Sequence, residues 1–197
     1  MVSLLLVFII FSAFAHRSAY FGFDLTISRA LQSVHRPAFS VFMNLVSEIG
    51  NNFNLEIIVV LSMSLLFLAG LKSEAIKAAL LTLAGASAGS LVKSLVNRPR
   101  PNGELVNIQK VLTDKSFPSL HVLIFTVFFG YMLYLAISKV KTLWLRLFIA
   151  GSSTVLILFI GISRIYLGAH WASDTLGGYL LGAILLIFAI MISNNQR

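Results

Sequence analysis

Residues 118–138 read PSLHVLIFTVFFGYMLYLAIS, a run without a single Asp, Glu, Lys or Arg. A helix that crosses a hydrocarbon layer of about 30 Å needs roughly 20 apolar residues. This stretch has that length and is apolar on every side, so it reads as a membrane span. Its polar opening, Pro118-Ser119-Leu120-His121, then falls at a membrane face.

Working outward, comparable runs lie at about 53–70, 75–96, 143–163 and 172–192. A first run, 2–15, is shorter, and reaches span length if it is tilted and continued through Tyr20 to Phe23. Ala13-Phe14-Ala15 resembles a signal-peptidase site, but no positive residue precedes the run, so a retained first helix is expected. Asp24 to Leu31 has amphipathic helical spacing and is expected on the membrane surface, with Pro37 as a break. The expected architecture is all-α: an integral-membrane six-helix bundle forming one domain over residues 1–197. Gly85-x-x-x-Gly89 and Gly178-x-x-x-Gly182 mark places where helices pack closely.

Composition agrees. Hydrophobic residues are 58% and charged residues 11% of the chain, where a soluble domain carries about 25% charged residues. There is no cysteine, which excludes disulfides, thiolate metal sites and cysteine nucleophiles. The formal charge is +8. On a bilayer protein this serves as topology anchors, as attraction to anionic headgroups, or as a site for an anionic substrate. The partners expected are the bilayer and an anionic lipid, not nucleic acid.

Three polar clusters interrupt the apolar pattern. In Lys93-Ser94-Leu95-Val96-Asn97-Arg98-Pro99-Arg100-Pro101, Lys93 lies inside the end of an apolar helix and Arg100 just beyond it. Taken alone, these would be snorkelling anchors, since basic residues at span ends are ordinary. In Phe117-Pro118-Ser119-Leu120-His121, Pro118 opens a helix whose free first-turn amides and dipole attract anions. Ser119 adds a hydroxyl there and His121 a titratable proton, although a histidine merely packed near the interface would look the same.

The third cluster runs from Ser163-Arg164 to His170 and Asp174. Four residues apart, His170 and Asp174 share a helical face, and the carboxylate can fix the imidazole tautomer and stabilise its positive form. Arg164 offers a planar fork suited to phosphate oxygens. A structural His–Asp pair capping the last helix is the ordinary alternative. A carboxylate in a membrane chain with only seven acidic residues favours function instead. Six spans bring all three clusters to the face opposite the termini. Together they suit phosphoryl transfer: cations neutralise the equatorial oxygens, one group attacks and one protonates the leaving oxygen.

These residues resemble the type 2 phosphatidic acid phosphatase superfamily, which also holds bacterial undecaprenyl-diphosphate phosphatases and the soluble vanadium haloperoxidases. The family signature has three parts. Lys, six residues, Arg-Pro is matched by Lys93, Arg100 and Pro101. Pro-Ser-Gly-His is matched by Pro118, Ser119 and His121. Ser-Arg, five residues, His, three residues, Asp is matched by Ser163, Arg164, His170 and Asp174. The resemblance implies that His170 is the nucleophile, that Asp174 orients it, and that His121 protonates the leaving oxygen. It implies that Lys93, Arg100, Ser119, Arg164 and the backbone amide of Leu120 hold the phosphate, with no metal and no cofactor. Leu120 itself departs from the family, which usually has glycine there. Leucine keeps the amide, adds bulk beside the site and resists positive φ.

The expected function is therefore hydrolysis of a phosphomonoester or diphosphate on a membrane lipid, such as phosphatidic acid, phosphatidylglycerol phosphate or undecaprenyl diphosphate, through a phosphohistidine. One alternative is a lipid phosphotransferase of the same fold. Another is a non-catalytic protein that only binds lipid headgroups, which would need the positive charge but not the His–Asp pair. Setting aside Lys93, Arg100 and Arg164, the remaining basic residues divide six and six between the two faces. Those on the terminal side sit in shorter loops, which weigh more in topology. The expectation is a multi-pass protein of the cell membrane with its site on the extracytoplasmic face.

Overall fold

The computed structural model describes residues 1–195. It contains α1 (Val2–Arg17), α2 (Gly22–Gln32), α3 (Pro37–Ile49), α4 (Asn52–Leu68), α5 (Lys72–Val96), α6 (Leu120–Lys139), α7 (Leu143–Tyr166) and α8 (Ala172–Asn195). No strand occurs among the described residues. The all-α class is as expected, and each long apolar run is a helix.

Four helices, α5 to α8, are long and apolar enough to cross a membrane singly. The pairs α1/α2 and α3/α4 reach that length only together, and they bend by 86° and 62°. The six-span reading is thus recovered with each bent pair counted as one span. Tyr20 to Phe23 do not prolong the first helix: α1 ends at Arg17 and α2 sets off nearly at a right angle. Pro37 is both the break and the first residue of α3, where a missing N–H is harmless. The amphipathic stretch is helical, but Asp24 and Ser28 on it are buried, so its polar side faces protein. Pro118 does not open α6. Ser119 is its N-cap and Leu120 its first residue.

The centre of the bundle is α6, packed against α5, α7 and α8. Val122, Leu123, Phe125 and Val127 have no exposed surface. Both small-residue motifs act here. A Cβ on Gly85 or Gly89 would press on Leu123 or Leu120 of α6, and one on Gly178 or Gly182 would meet the Ser119 carbonyl or Thr126. The bare backbones let the helices approach. Outward, Leu61, Leu65, Leu80, Leu91, Trp144 and Phe148 are exposed. Such a surface would be an aggregation hazard in water and is the ordinary condition in lipid.

Candidate active site

The C-terminal ends of α5 and α7 and the N-terminal end of α6, with the loops beside them, build one polar region, and each end is shaped by its sequence. Asn97 takes a left-handed conformation at φ 52° and stops α5, a role Asn tolerates well. At the end of α7, Gly168 has φ 69°. Its N–H donates to Ile165 O and that of Ala169 to Arg164 O, each at 3.0 Å. This is a Schellman turn, which satisfies the last carbonyls of a helix. The N–H of His170 also donates to Arg164 O at 3.2 Å. The turn therefore fixes His170 relative to Arg164 before α8 begins. A side chain at 168 would run into the backbone of Asn107, so the loop between α5 and α6 is seated on this glycine.

Of the residues expected in the site, Lys93, Arg100, Leu120, His121, Arg164 and His170 line one cavity of about 1020 Å³. Ser119 and Asp174 are fully buried and stand behind that wall. Arg100 lies closest to the expected nucleophile: its Nη1 is 3.1 Å from His170 Nε2 and 2.5 Å from Ala169 O. Arg164 Nη1 donates to Ser47 Oγ of α3 at 2.7 Å. His121, on the first turn of α6, lies so near Gly50 that a Cβ there would touch its ring. Leu120 packs its side chain over Gly89. Its φ is not positive, so the conformational freedom of glycine is not needed at this position.

Asp174 does more than the resemblance assigns it. Its Oδ2 lies 3.6 Å from His170 Nδ1, longer than a hydrogen bond. The same oxygen accepts from Ser116 Oγ and, at 2.8 Å, from the backbone N–H of Trp171. The latter closes the first turn of α8 as an acidic side chain at that position commonly does. Its Oδ1 accepts from Arg98 Nη1 at 2.7 Å. Arg98 is completely buried and also donates to Asp24 Oδ2 of α2 at 3.0 Å and to Ser173 Oγ at 2.6 Å.

Arg98 and Asp24 were not among the expected site residues. Their signal was an acidic residue in a helix of a chain that avoids charge, and a second arginine in the first cluster. Asp114 was also missed. It accepts from Lys93 Nζ at 2.6 Å and from Arg100 Nη2 at 2.7 Å.

Electrostatics follow the burial. The imidazole of His170 is held well below its ordinary pKa, first by desolvation and then by Arg100, Arg164 and Lys93. It is neutral at neutral pH, and the Arg100 contact leaves Nε2 as the acceptor nitrogen. Partial burial raises the Asp114 carboxyl, but hydrogen bonds and charges from Lys93 and Arg100 outweigh it and bring it to about 2. Among the described residues, the buried side-chain atoms without a hydrogen-bond partner are Ser119 Oγ, Arg164 Nε, His170 Nδ1 and Trp171 Nε1. Such atoms are rare in native interiors, and these fall in or beside this site.

The PAP2 superfamily model matches residues 74–197. Phosphatidylglycerophosphatase B of Bacillus subtilis is 29% identical over 197 residues, covering 96% of this chain and 92% of its own. The bacitracin transport permease protein BcrC of Bacillus licheniformis is 34% identical over 103 residues, covering 51% of this chain and 46% of its own. The crystal structure of a transmembrane PAP2-type phosphatidylglycerolphosphate phosphatase from Bacillus subtilis superposes with a TM-score of 0.86 at 23% identity, over 100% of this chain and 96% of that one. The chain belongs to the PAP2 superfamily and is, at that level, a multi-pass membrane lipid phosphatase.

Proposed function

We propose that the protein removes the terminal phosphate of a membrane lipid in two steps through a phosphohistidine on His170. In the first step, Nε2 of His170 attacks phosphorus as the bond to the lipid oxygen breaks. His121 gives that oxygen a proton, and Asp174 stabilises the positive charge that appears on the imidazole. In the second step, His121 takes a proton from water, which attacks phosphorus and frees inorganic phosphate and His170. Lys93, Arg100 and Arg164 hold the phosphoryl oxygens, with Ser119 and the amide of Leu120 behind them. Positive groups already aimed at developing charge are the usual large contribution in this chemistry.

The observation that carries this reading is the placement of His170. In the wall of the cavity, its Nε2 lies 3.1 Å from Arg100 Nη1 and its Nδ1 lies 3.6 Å from the Asp174 carboxylate. A headgroup binder needs the cations but not that arrangement. The cavity also fits a lipid. From Lys93 it continues along α5 to Ala86, Leu83 and Ala79, with Val59 of α4 on the other wall. That is about 21 Å of mostly apolar helix surface.

Phosphatidylglycerol phosphate is the first substrate to test, given the similarity along nearly the whole chain to a phosphatidylglycerophosphatase. Purified protein in detergent should release phosphate from it, or from phosphatidic acid or undecaprenyl diphosphate in the same panel, while His170→Ala releases none. Silence over the panel from a folded wild-type protein contradicts the reading. We further infer that the site faces the extracytoplasmic side. The terminal-side basic residues sit in the shorter loops, which weigh more in topology and favour cytoplasmic termini.

A further inference from the structure

Lys93 and Arg100 are two of the three cations assigned to the phosphate, and both are already engaged. Asp114 Oδ2 accepts from Lys93 Nζ at 2.6 Å. Its Oδ1 accepts from Arg100 Nη2 at 2.7 Å and Nε at 3.1 Å, and its carbonyl takes Nε at 3.0 Å. These are charge-assisted contacts of the kind that hold phosphate oxygens, with two guanidinium donors converging on one carboxylate oxygen and the ammonium on the other. The Asp114 side chain is 53% exposed and belongs to the cavity wall. It sits on the loop between α5 and α6, and Arg100 Nη1 continues from it to His170 Nε2. A buried structural pair would be enclosed, as Arg98 is with Asp24 and Asp174. Asp114 instead lies at the opening, one guanidinium away from the expected nucleophile.

Resting on the phosphatase reading above, we propose that Asp114 is a specificity-determining residue. Its carboxylate stands in for phosphate oxygens on Lys93 and Arg100, and it yields to a terminal phosphate but not to the phosphodiester of an ordinary membrane phospholipid. A terminal phosphate carries about −1.5 to −2 at neutral pH, whereas a phosphodiester carries one negative charge, as Asp114 does.

Attraction to the two cations scales with charge. A terminal phosphate therefore gains by replacing the carboxylate. A phosphodiester exchanges one unit of charge for one, against a competitor tethered to the site at high effective concentration. Asp114 stays ionised because Lys93 and Arg100 hold its carboxyl at about 2, so the competition operates wherever the terminal phosphate carries its second charge, above a pH of about 6. The cavity runs along the membrane-spanning part of α5, where phosphodiester lipids outnumber any substrate, and there such a filter matters.

The test compares wild type with Asp114→Asn and Asp114→Ala, each as the full chain in detergent micelles. Binding of inorganic phosphate is measured by titration without turnover, and inhibition by phosphatidylglycerol at fixed micelle surface fraction is measured alongside. Both variants should bind inorganic phosphate at least about tenfold more tightly, and both should become sensitive to phosphatidylglycerol that leaves the wild type unaffected. Unchanged or weaker phosphate binding in the variants overturns the proposal, because Asp114 would then only hold Lys93 and Arg100 in line. Equal exclusion of phosphatidylglycerol from variant and wild type overturns it too. If the wild type hydrolyses no lipid phosphate, the phosphatase reading fails by itself, while the phosphate titration still decides whether Asp114 competes for the cations.

Discussion

Asp174 shows how one side chain can serve two ends that a variant separates. It faces His170, but its hydrogen bonds go to Arg98, Ser116 and Trp171. His170→Ala should therefore abolish turnover with little change in thermal stability, since it removes a group needed only along the reaction path. Asp174→Asn should lower kcat by less and stability by more. Breaking a buried ion pair costs about 3–5 kcal/mol when one partner is lost, and the retained shape of Asn makes that an upper bound. Melting temperature and kcat of the two variants, measured side by side, check this. A stable Asp174→Asn protein with wild-type melting would contradict it.

The direction of the His170 shift gives a pH prediction. A lowered pKa keeps the imidazole neutral, and so nucleophilic, further into acid. The acid limb of kcat/KM should lie below the ordinary imidazole value of about 6.5, and activity should persist as pH falls through that value. A limb at or above it would show that burial and the three neighbouring cations do not govern His170.

The sequence assigned Lys93, Arg100, His121, Arg164 and His170 to one membrane face by residue type and spacing, and in the structure they line one cavity. The partners of Asp174 were not, because Asp24 lies 74 residues from Arg98 and Arg98 lies 76 from Asp174. No local period links them. Arg98 looked like a topology charge and is a wholly enclosed one.

At the scale of elements, the end of α7 and the contact of α5 with α6 decide the site. Gly168 joins a positive φ to close approach of the Asn107 backbone. Gly168→Ala should cost more than the roughly 1–2 kcal/mol of a left-handed alanine alone, and it should lower kcat by tilting His170 away from Arg164. Leu120 and Gly89 form a complementary pair: a Cβ at 89 would lie 2.5 Å from Leu120 Cδ2. Leu120→Gly should cost about 2 kcal/mol, from lost packing and a flexible first turn. Gly89→Ala should cost about 1 kcal/mol from crowding. The double variant should cost less than the sum, since contacting residues do not add. Strict additivity in a thermal or denaturant cycle would show that the two do not touch.

The leucine at 120 was visible as a departure from the family, but its reason was not, because the space it fills belongs to another helix. Element boundaries diverged for a similar cause. The bends after α1 and α3 set short helices across the bundle, where Asp24 reaches Arg98 and Ser47 reaches Arg164. A hydropathy reading sees only length.

Across the whole molecule, a bilayer fold carries its charged cluster at one end of the bundle. The absence of cysteine makes the topology directly testable. A single cysteine at Glu104, in the site-side loop, should react with an impermeant maleimide on intact cells. One at Lys141, between α6 and α7, should react only after permeabilisation. The reverse pattern would place the site inside.

The central claim is that phosphate passes through His170. Its direct measurement is rapid acid-free quenching of the purified protein during turnover of a lipid carrying a radiolabelled terminal phosphate, followed by peptide mapping under basic conditions. An acid-labile, base-stable label is expected on the peptide containing His170 and is expected to be absent from His170→Ala. Label on any other residue, or sustained turnover by the purified His170→Ala protein, would contradict it.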